Sequence, residues 1–195
     1  MDRRARIERK TTETAIVLDL RIDGTGAGNI TTQIPFFDHM LTLFSRHGLF
    51  DLQIDASGDI AVDFHHTVED TGIALGQAFA RALGDKRGIR RYGWAYAPMD
   101  ETLARVVVDL SGRPYFEYRA PQNVAPTGTF SFQLVEEFLR AFSVHAACNL
   151  HVEILCGRDA HHMAEAVFKA LSKALDQACQ IDPRVEGIPS TKGVL

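Results

Sequence analysis

Apolar and polar positions change period several times along the chain, and each change marks an element. Between residues 11 and 22, Ile16, Leu18, Leu20 and Ile22 alternate with other side chains, the period of a half-buried strand. Gly24, Gly26 and Gly28 punctuate a turn, and residues 29–34 read as a second strand. Pro35 and Asp38 suit a helix start and Gly48 its stop. Residues 49–56 return to a strand, Ser57-Gly58-Asp59 turns, and a short strand leads into His65. From there Val68, Gly72, Leu75, Phe79 and Ala82 share one helical stripe that ends at Gly84. Residues 85–92 connect, with Lys86, Arg87, Arg90 and Arg91. The order then resumes. Residues 103–110 form a β-branched strand, Ser111-Gly112-Arg113-Pro114 a tight turn, and 115–119 another strand. A Pro/Gly loop over 120–130 precedes a helix over 131–147 and a strand over 149–155. Met163, Val167, Leu171, Ala174 and Ala178 give the last helical stripe. Residues 1–10, with four arginines and a lysine, are expected to be a mobile basic arm. Residues 182–195, with Pro183, Gly187, Pro189 and Gly193, form a non-helical tail.

The pattern is a repeat. Both long helices open on H-H-x-x-E, at His65-His66-Thr67-Val68-Glu69 and at His161-His162-Met163-Ala164-Glu165. Phe44-Ser45-Arg46-His47 matches Phe142-Ser143-Val144-His145, and Leu52-Gln53-Ile54 matches Leu150-His151-Val152. Val17-Leu18-Asp19-Leu20 is set against residues 107–110. The expected fold is α+β, two β-β-α-β-α halves over about 8–88 and 92–181. Their helices pack together between two mixed sheets, in one domain over 1–195 with the tail at its end.

The motif carries chemistry. In a helix the first His and the Glu share a face, while adjacent His side chains point about 100° apart. Two such His serve two ions better than one. Two copies offer four imidazoles and two carboxylates, a first shell for two divalent metals. A single H-H-x-x-E reads first as a pair of helix N-terminal histidines; two copies at matching places make coincidence act twice. The same alignment sets His39 opposite Glu137 and nominates both as further ligands.

Charge and composition narrow the classes. The net charge of −4 favours neither nucleic acid nor an acidic membrane surface. No apolar run reaches membrane length, and no apolar core follows the basic start as a signal peptide would need. Cys148, Cys156 and Cys179 are odd in number and unpatterned, which suits reduced thiols in a cytoplasmic protein.

Five motifs in order resemble one family. They are Phe37-Asp38-His39-Met40-Leu41, the first H-H-x-x-E with Asp70, Asp109-Leu110-Ser111-Gly112-Arg113-Pro114, the second H-H-x-x-E through Lys169-Ala170, and Pro189-Ser190-Thr191-Lys192-Gly193-Val194-Leu195. Together they are similar to imidazoleglycerol-phosphate dehydratase from Glu8 to Leu195. The resemblance implies dehydration of imidazole glycerol phosphate to imidazole acetol phosphate in histidine biosynthesis. It implies two Mn²⁺ ions per site and a shell of 24 subunits with sites between them. It assigns metal binding to His39, His65, His66, Glu69, His161, His162 and Glu165. The eighth ligand position falls on Glu137, where the family often has a histidine. It assigns substrate contacts to Glu13, the helix from His39 to His47, Arg91, Arg113, Lys169, Ser190, Thr191 and Lys192. The residues by themselves give His47, His145 and His151 no role.

The chemistry such a site must perform is demanding, because the proton to be lost is not acidic. An imidazole held between two metals as imidazolate can expel the neighbouring hydroxyl to a diazafulvene-type intermediate, which then loses that proton. Glu13 is the expected general acid/base, with Glu69 and Glu165 beside the reacting ring. Arg91, Arg113, Lys169 and Lys192 are the candidate phosphate cations, with Ser190 and Thr191 as hydroxyl donors. A two-metal hydrolase would want ions about 3.5–4 Å apart, which diverging histidines oppose. A non-catalytic metal-storage shell has no use for the Arg113 and Ser190-Thr191-Lys192 set, and an RNA-binding module is disfavoured by the acidic balance.

Overall fold

A computed structural model describes residues 2–195. The first half contains β1 (Arg4–Lys10), β2 (Thr14–Arg21), β3 (Gly28–Thr31), α1 (Pro35–Gly48), β4 (Asp51–Gly58) and α2 (His65–Leu83). The second contains β5 (Tyr92–Met99), β6 (Thr102–Asp109), β7 (Tyr115–Arg119), α3 (Gln133–Ala146), β8 (Asn149–Cys156) and α4 (Ala160–Cys179). Each half makes one four-stranded mixed sheet, ordered β1-β2-β4-β3 and β5-β6-β8-β7. The third strand pairs parallel to the fourth and the other pairs are antiparallel. The four helices pack together between the sheets, and their inner faces bury Phe37, Phe44, Phe79, Phe138, Phe142 and Phe168. The α+β class and the two-half plan are as the pattern implied.

Each half holds one strand more than the hydrophobic pattern suggested, and both have a physical reason. Residues 4–10 are not a mobile arm. They pair along their whole length with β2, and Ile7 is buried while Arg6 bonds outward to Asp19. The charges that looked like a solvated tail are the outer face of an edge strand. β5 hides differently. Its inward residues are Gly93, Ala95 and Ala97, and its aromatics Trp94 and Tyr96 point out. Smallness is required there, because a Cβ on Gly93 would collide with the Ala174 carbonyl of α4. A third difference lies before α2, where residues 59–64 form a turn rather than a short strand; the Val62 N–H donates to the Asp59 carbonyl.

Pairing fixes the register of the repeat. Leu18 faces Ile54 and Val106 faces Val152. Leu18 therefore corresponds to Val106, a separation of 88 residues and two away from the match the bare sequence suggested. From α1 and α3 to β4 and β8 the separation is 98, the added residues sitting in the loop over 120–130, and at the motif helices α2 and α4 it is 96.

Candidate metal and substrate site

The second half builds the tighter cluster. His39 enters from the first turn of α1, and His161 and Glu165 from the first turns of α4. The Nε2 atoms of His39 and His161 lie 3.0 and 2.9 Å from the same oxygen, Glu165 Oε1. The Lys169 ammonium donates to the other oxygen at 2.6 Å. Burial pushes the Glu165 carboxyl up in pKa, but hydrogen bonds from Lys169, His39 and His161 outweigh it and hold it at about 2. A permanent carboxylate and two imidazole nitrogens, all within 4.8 Å of one another, form a donor set that fits a divalent ion.

The first half repeats the chemistry in looser form. His65 Nε2 lies 3.8 Å from Glu69 Oε2, and both side chains are more than 40% exposed. Glu165, by contrast, is 8% exposed. Glu137 enters from α3 and lines, with His65, an open hollow of about 390 Å³. Thus α1 brings His39 to α4, and α3 brings Glu137 beside His65 of α2.

The adjacent histidines do diverge. The rings of His65 and His66 are inclined by 88°, those of His161 and His162 by 80°. Each second histidine has its own carboxylate. His66 Nδ1 lies 3.0 Å from Asp59 Oδ2, and His162 Nδ1 lies 2.8 Å from Glu101 Oε2. A carboxylate has no proton to give, so both Nδ1 atoms are the donors. Asp59 raises the pKa of His66 and Glu101 that of His162, while the His162 hydrogen bond and backbone donors hold Glu101 at about 2. Two further aspartates set the helix entries. Asp63 accepts from the His65 N–H, and Asp159 from the N–H groups of His161 and His162. The full repeat is therefore D-x-H-H-x-x-E. Sequence reasoning passed over Asp59, Asp63, Glu101 and Asp159. The aspartates two residues before each motif were the readable signal.

Glu13 lies in the turn between β1 and β2 rather than within a strand. Its Oε2 is 3.7 Å from His66 Nδ1, and its side chain is half exposed. His47, at the far end of α1, is lowered in pKa by burial and then by Lys169 and Lys173.

The cationic set lies elsewhere. The Arg91 guanidinium is held by both oxygens of Asp109 and donates to the Pro189 carbonyl, which anchors the tail. Leu195 lies against Gly112, where φ is +74° and a Cβ would strike the Leu195 carbonyl carbon, so the tail returns to the Arg113 turn. Within the tail the Lys192 N–H donates to Ser190 Oγ, and Thr191 and Lys192 are exposed. Arg91, Arg113 and residues 190–192 thus collect at the Asp109–Asn149 end of the second sheet. His161, Glu165 and Lys169 belong to the opposite, Leu103–Cys156 end, since Lys169 reaches Met99 Sδ. The length of β6 separates the two groups by roughly 20 Å. Of the candidate cations only Lys169 joins His161 and Glu165 of its own chain; Arg91, Arg113 and the tail do not.

Residues 32–175 match the family model described as imidazoleglycerol-phosphate dehydratase. The chain is 58% identical, over the full length of both, to a protein of that name from Geobacter metallireducens. It is 58% identical to one from Halalkalibacterium halodurans over 99% of this chain and all of that one. Among solved structures, imidazoleglycerol-phosphate dehydratase from Staphylococcus aureus aligns with TM-score 0.83 at 41% identity, covering 92% of this chain and 99% of that one. The enzyme from Pyrococcus furiosus aligns with the same score at 36% identity, covering 97% and 100%.

Proposed function

The chain belongs to the imidazoleglycerol-phosphate dehydratase family, hydro-lyases of histidine biosynthesis, and from that premise we propose how its residues carry out the dehydration. The carrying observation is the convergence of His39 and His161 on one oxygen of Glu165, repeated in looser form by His65, Glu69 and Glu137. The two sets, together with His66 and His162, would hold two divalent ions per site, Mn²⁺ on this reading. When bound, the ions would supply the Lewis acidity that lets the substrate imidazole give up its ring N–H proton, so that the ring's electrons can expel the adjoining hydroxyl.

The remaining work falls to the chain. Expulsion of the hydroxyl, leaving as water with the proton given up by the ring N–H, would give a diazafulvene-type species, and a proton must then leave the next carbon. Glu13, half exposed and beside His66, takes that proton. Glu69 and Glu165 keep the ring-binding ends of the two motifs negative, and Lys169 locks the Glu165 carboxylate in place. Arg91, Arg113, Ser190, Thr191 and Lys192 fix the phosphate, and His47 lies on the helix that lines the substrate's path.

The separation of Arg91, Arg113 and the tail from His161 and Glu165 supports a site assembled between chains, hence a large symmetric homo-oligomer, with 24 subunits as the expected state. An aromatic outer sheet face is consistent with association, since Trp94, Tyr96 and Tyr115 are each at least half exposed. We read residues 1–195 as one dehydratase domain and its place as the cytoplasm; among the described residues no helix is long and apolar enough to cross a membrane. A storage shell without catalysis has no use for the tail that Arg91 anchors.

Glu13→Gln tests the assignment. Metal content and fold are expected to stay at wild-type levels while turnover falls at least 100-fold. Turnover within a few-fold of wild type would remove Glu13 from the mechanism, and loss of metal together with turnover would make it a structural residue.

A further inference from the structure

The register of the repeat places Glu13 and Glu101 at the same position. Both follow the first strand of their half and precede the second, 88 residues apart, the separation that matches Leu18 to Val106. Both stand beside the second histidine of their motif. Their contacts differ. Glu101 accepts from His162 Nδ1 at 2.8 Å through one oxygen. Its other oxygen accepts from the N–H groups of Arg158 and Asp159 and from the Thr102 hydroxyl. Glu13 makes no such bond. The place at His66 Nδ1 is taken by Asp59 at 3.0 Å, and Glu13 stands off at 3.7 Å.

We propose that Asp59 and Glu101 are the positioning residues for His66 and His162, and that Asp59, by taking over this task in the first half, leaves Glu13 free for the substrate. Each carboxylate holds its imidazole as the Nδ1–H tautomer and leaves the Nε2 lone pair outward for an ion. Among the described residues the charge facing His162 Nε2 is Asp100, 3.7 Å away and three-quarters exposed, so no hydrogen bond engages the nitrogen. This inference rests on the metal reading of the motifs and adds to it the residues that set ligand orientation. It also explains why two halves with the same motif carry only one candidate acid/base in this pair of turns.

Asp59 is the cleaner probe, because its carboxylate bonds only to His66. Asp59→Asn has the same shape, but its amide can present N–H to Nδ1 and turn the ring to the other tautomer. The experiment is an Mn²⁺ titration of the assembled, chelator-stripped protein, following the EPR signal of the free ion. Wild type is expected to bind two equivalents per chain. Asp59→Asn is expected to weaken one equivalent 10–100-fold, with thermal unfolding of the metal-free protein unchanged. Asp59→Glu is expected to restore the affinity, since it keeps a carboxylate to accept from Nδ1. Glu101→Gln is expected to weaken the other equivalent, and Glu13→Gln neither. Wild-type affinity in both Asp59→Asn and Glu101→Gln would overturn the proposal while leaving the metal reading intact. No Mn²⁺ bound by wild type would instead overturn the metal reading on which it rests.

Discussion

The two copies of D-x-H-H-x-x-E have the same residues and different surroundings. In the second, Glu165 is buried, carries Lys169 on one oxygen and gathers His39 and His161 on the other. In the first, Glu69 is half exposed, has no lysine partner among the described residues and stays 3.8 Å from His65. The position corresponding to Lys169 is Ile73, so no cation could lock Glu69 in the same way. A repeated motif fixes which donors are present. The neighbours that motif helices pack against decide which donors are already drawn together before a ligand arrives.

Removing the two carboxylates should separate the halves most strongly. In metal-free protein, Glu165→Gln breaks a buried pair and leaves Lys169 short of its partner, so a loss of about 1–3 kcal/mol is expected in chemical denaturation. Glu69→Gln is expected to change stability by less than about 0.5 kcal/mol. Equal effects would show that the two half-sites are alike in solution.

The helix seams differ too. Gly76 on α2 presses on α3, where a Cβ would meet the Phe142 carbonyl and the Ala146 N–H. Gly76→Ala should cost about 1–3 kcal/mol through overpacking, even against the helix propensity it gains. The matching residue on α4 is Ser172, whose hydroxyl only donates to the Lys169 carbonyl. Ser172→Ala should stay within about 1 kcal/mol. A tolerated Gly76→Ala would mean that the α2–α3 seam is looser than its contacts imply.

The smallest contrast is in pH. His47 ends α1 and His145 ends α3, and burial lowers both, helped by Lys169 and Lys173 in one case and by Arg9 in the other. A histidine lowered in the fold prefers to be neutral there, so the unfolded chain binds the proton more readily. Its contribution is complete above the unfolded value near 6.5 and fades as pH falls towards the folded one. His47→Gln and His145→Gln should each flatten the decline in stability between pH 7 and 5. A slope unchanged in both variants would contradict these assignments.

How much was readable in the sequence follows the same physics. α2 and α4 were plain because a 3.6-residue stripe and a repeated motif coincide. β1 was hidden because its charged outer face outnumbers the single buried Ile7. β5 was hidden because its core face is Gly93, Ala95 and Ala97, and its large side chains point away from the core. His39 and Glu137 were readable through the internal alignment alone, and the fold sets each beside a motif helix. Asp59 and Glu101 were not, since they reach their histidines from different loops and only strand register shows that Glu101 stands where Glu13 does. The distance from Arg113 and the tail to His161 could not be foreseen either; it depends on which end of β6 each loop leaves from.

On the reading proposed above, the two half-sites form one metal-dependent dehydratase. The most direct measurement is turnover of imidazole glycerol phosphate by chelator-stripped protein, before and after Mn²⁺ is returned. Activity is expected to vanish on stripping and to recover with the ion. A folded, assembled and metal-loaded protein that leaves the substrate unchanged, or one that turns it over at full rate without metal, would contradict it.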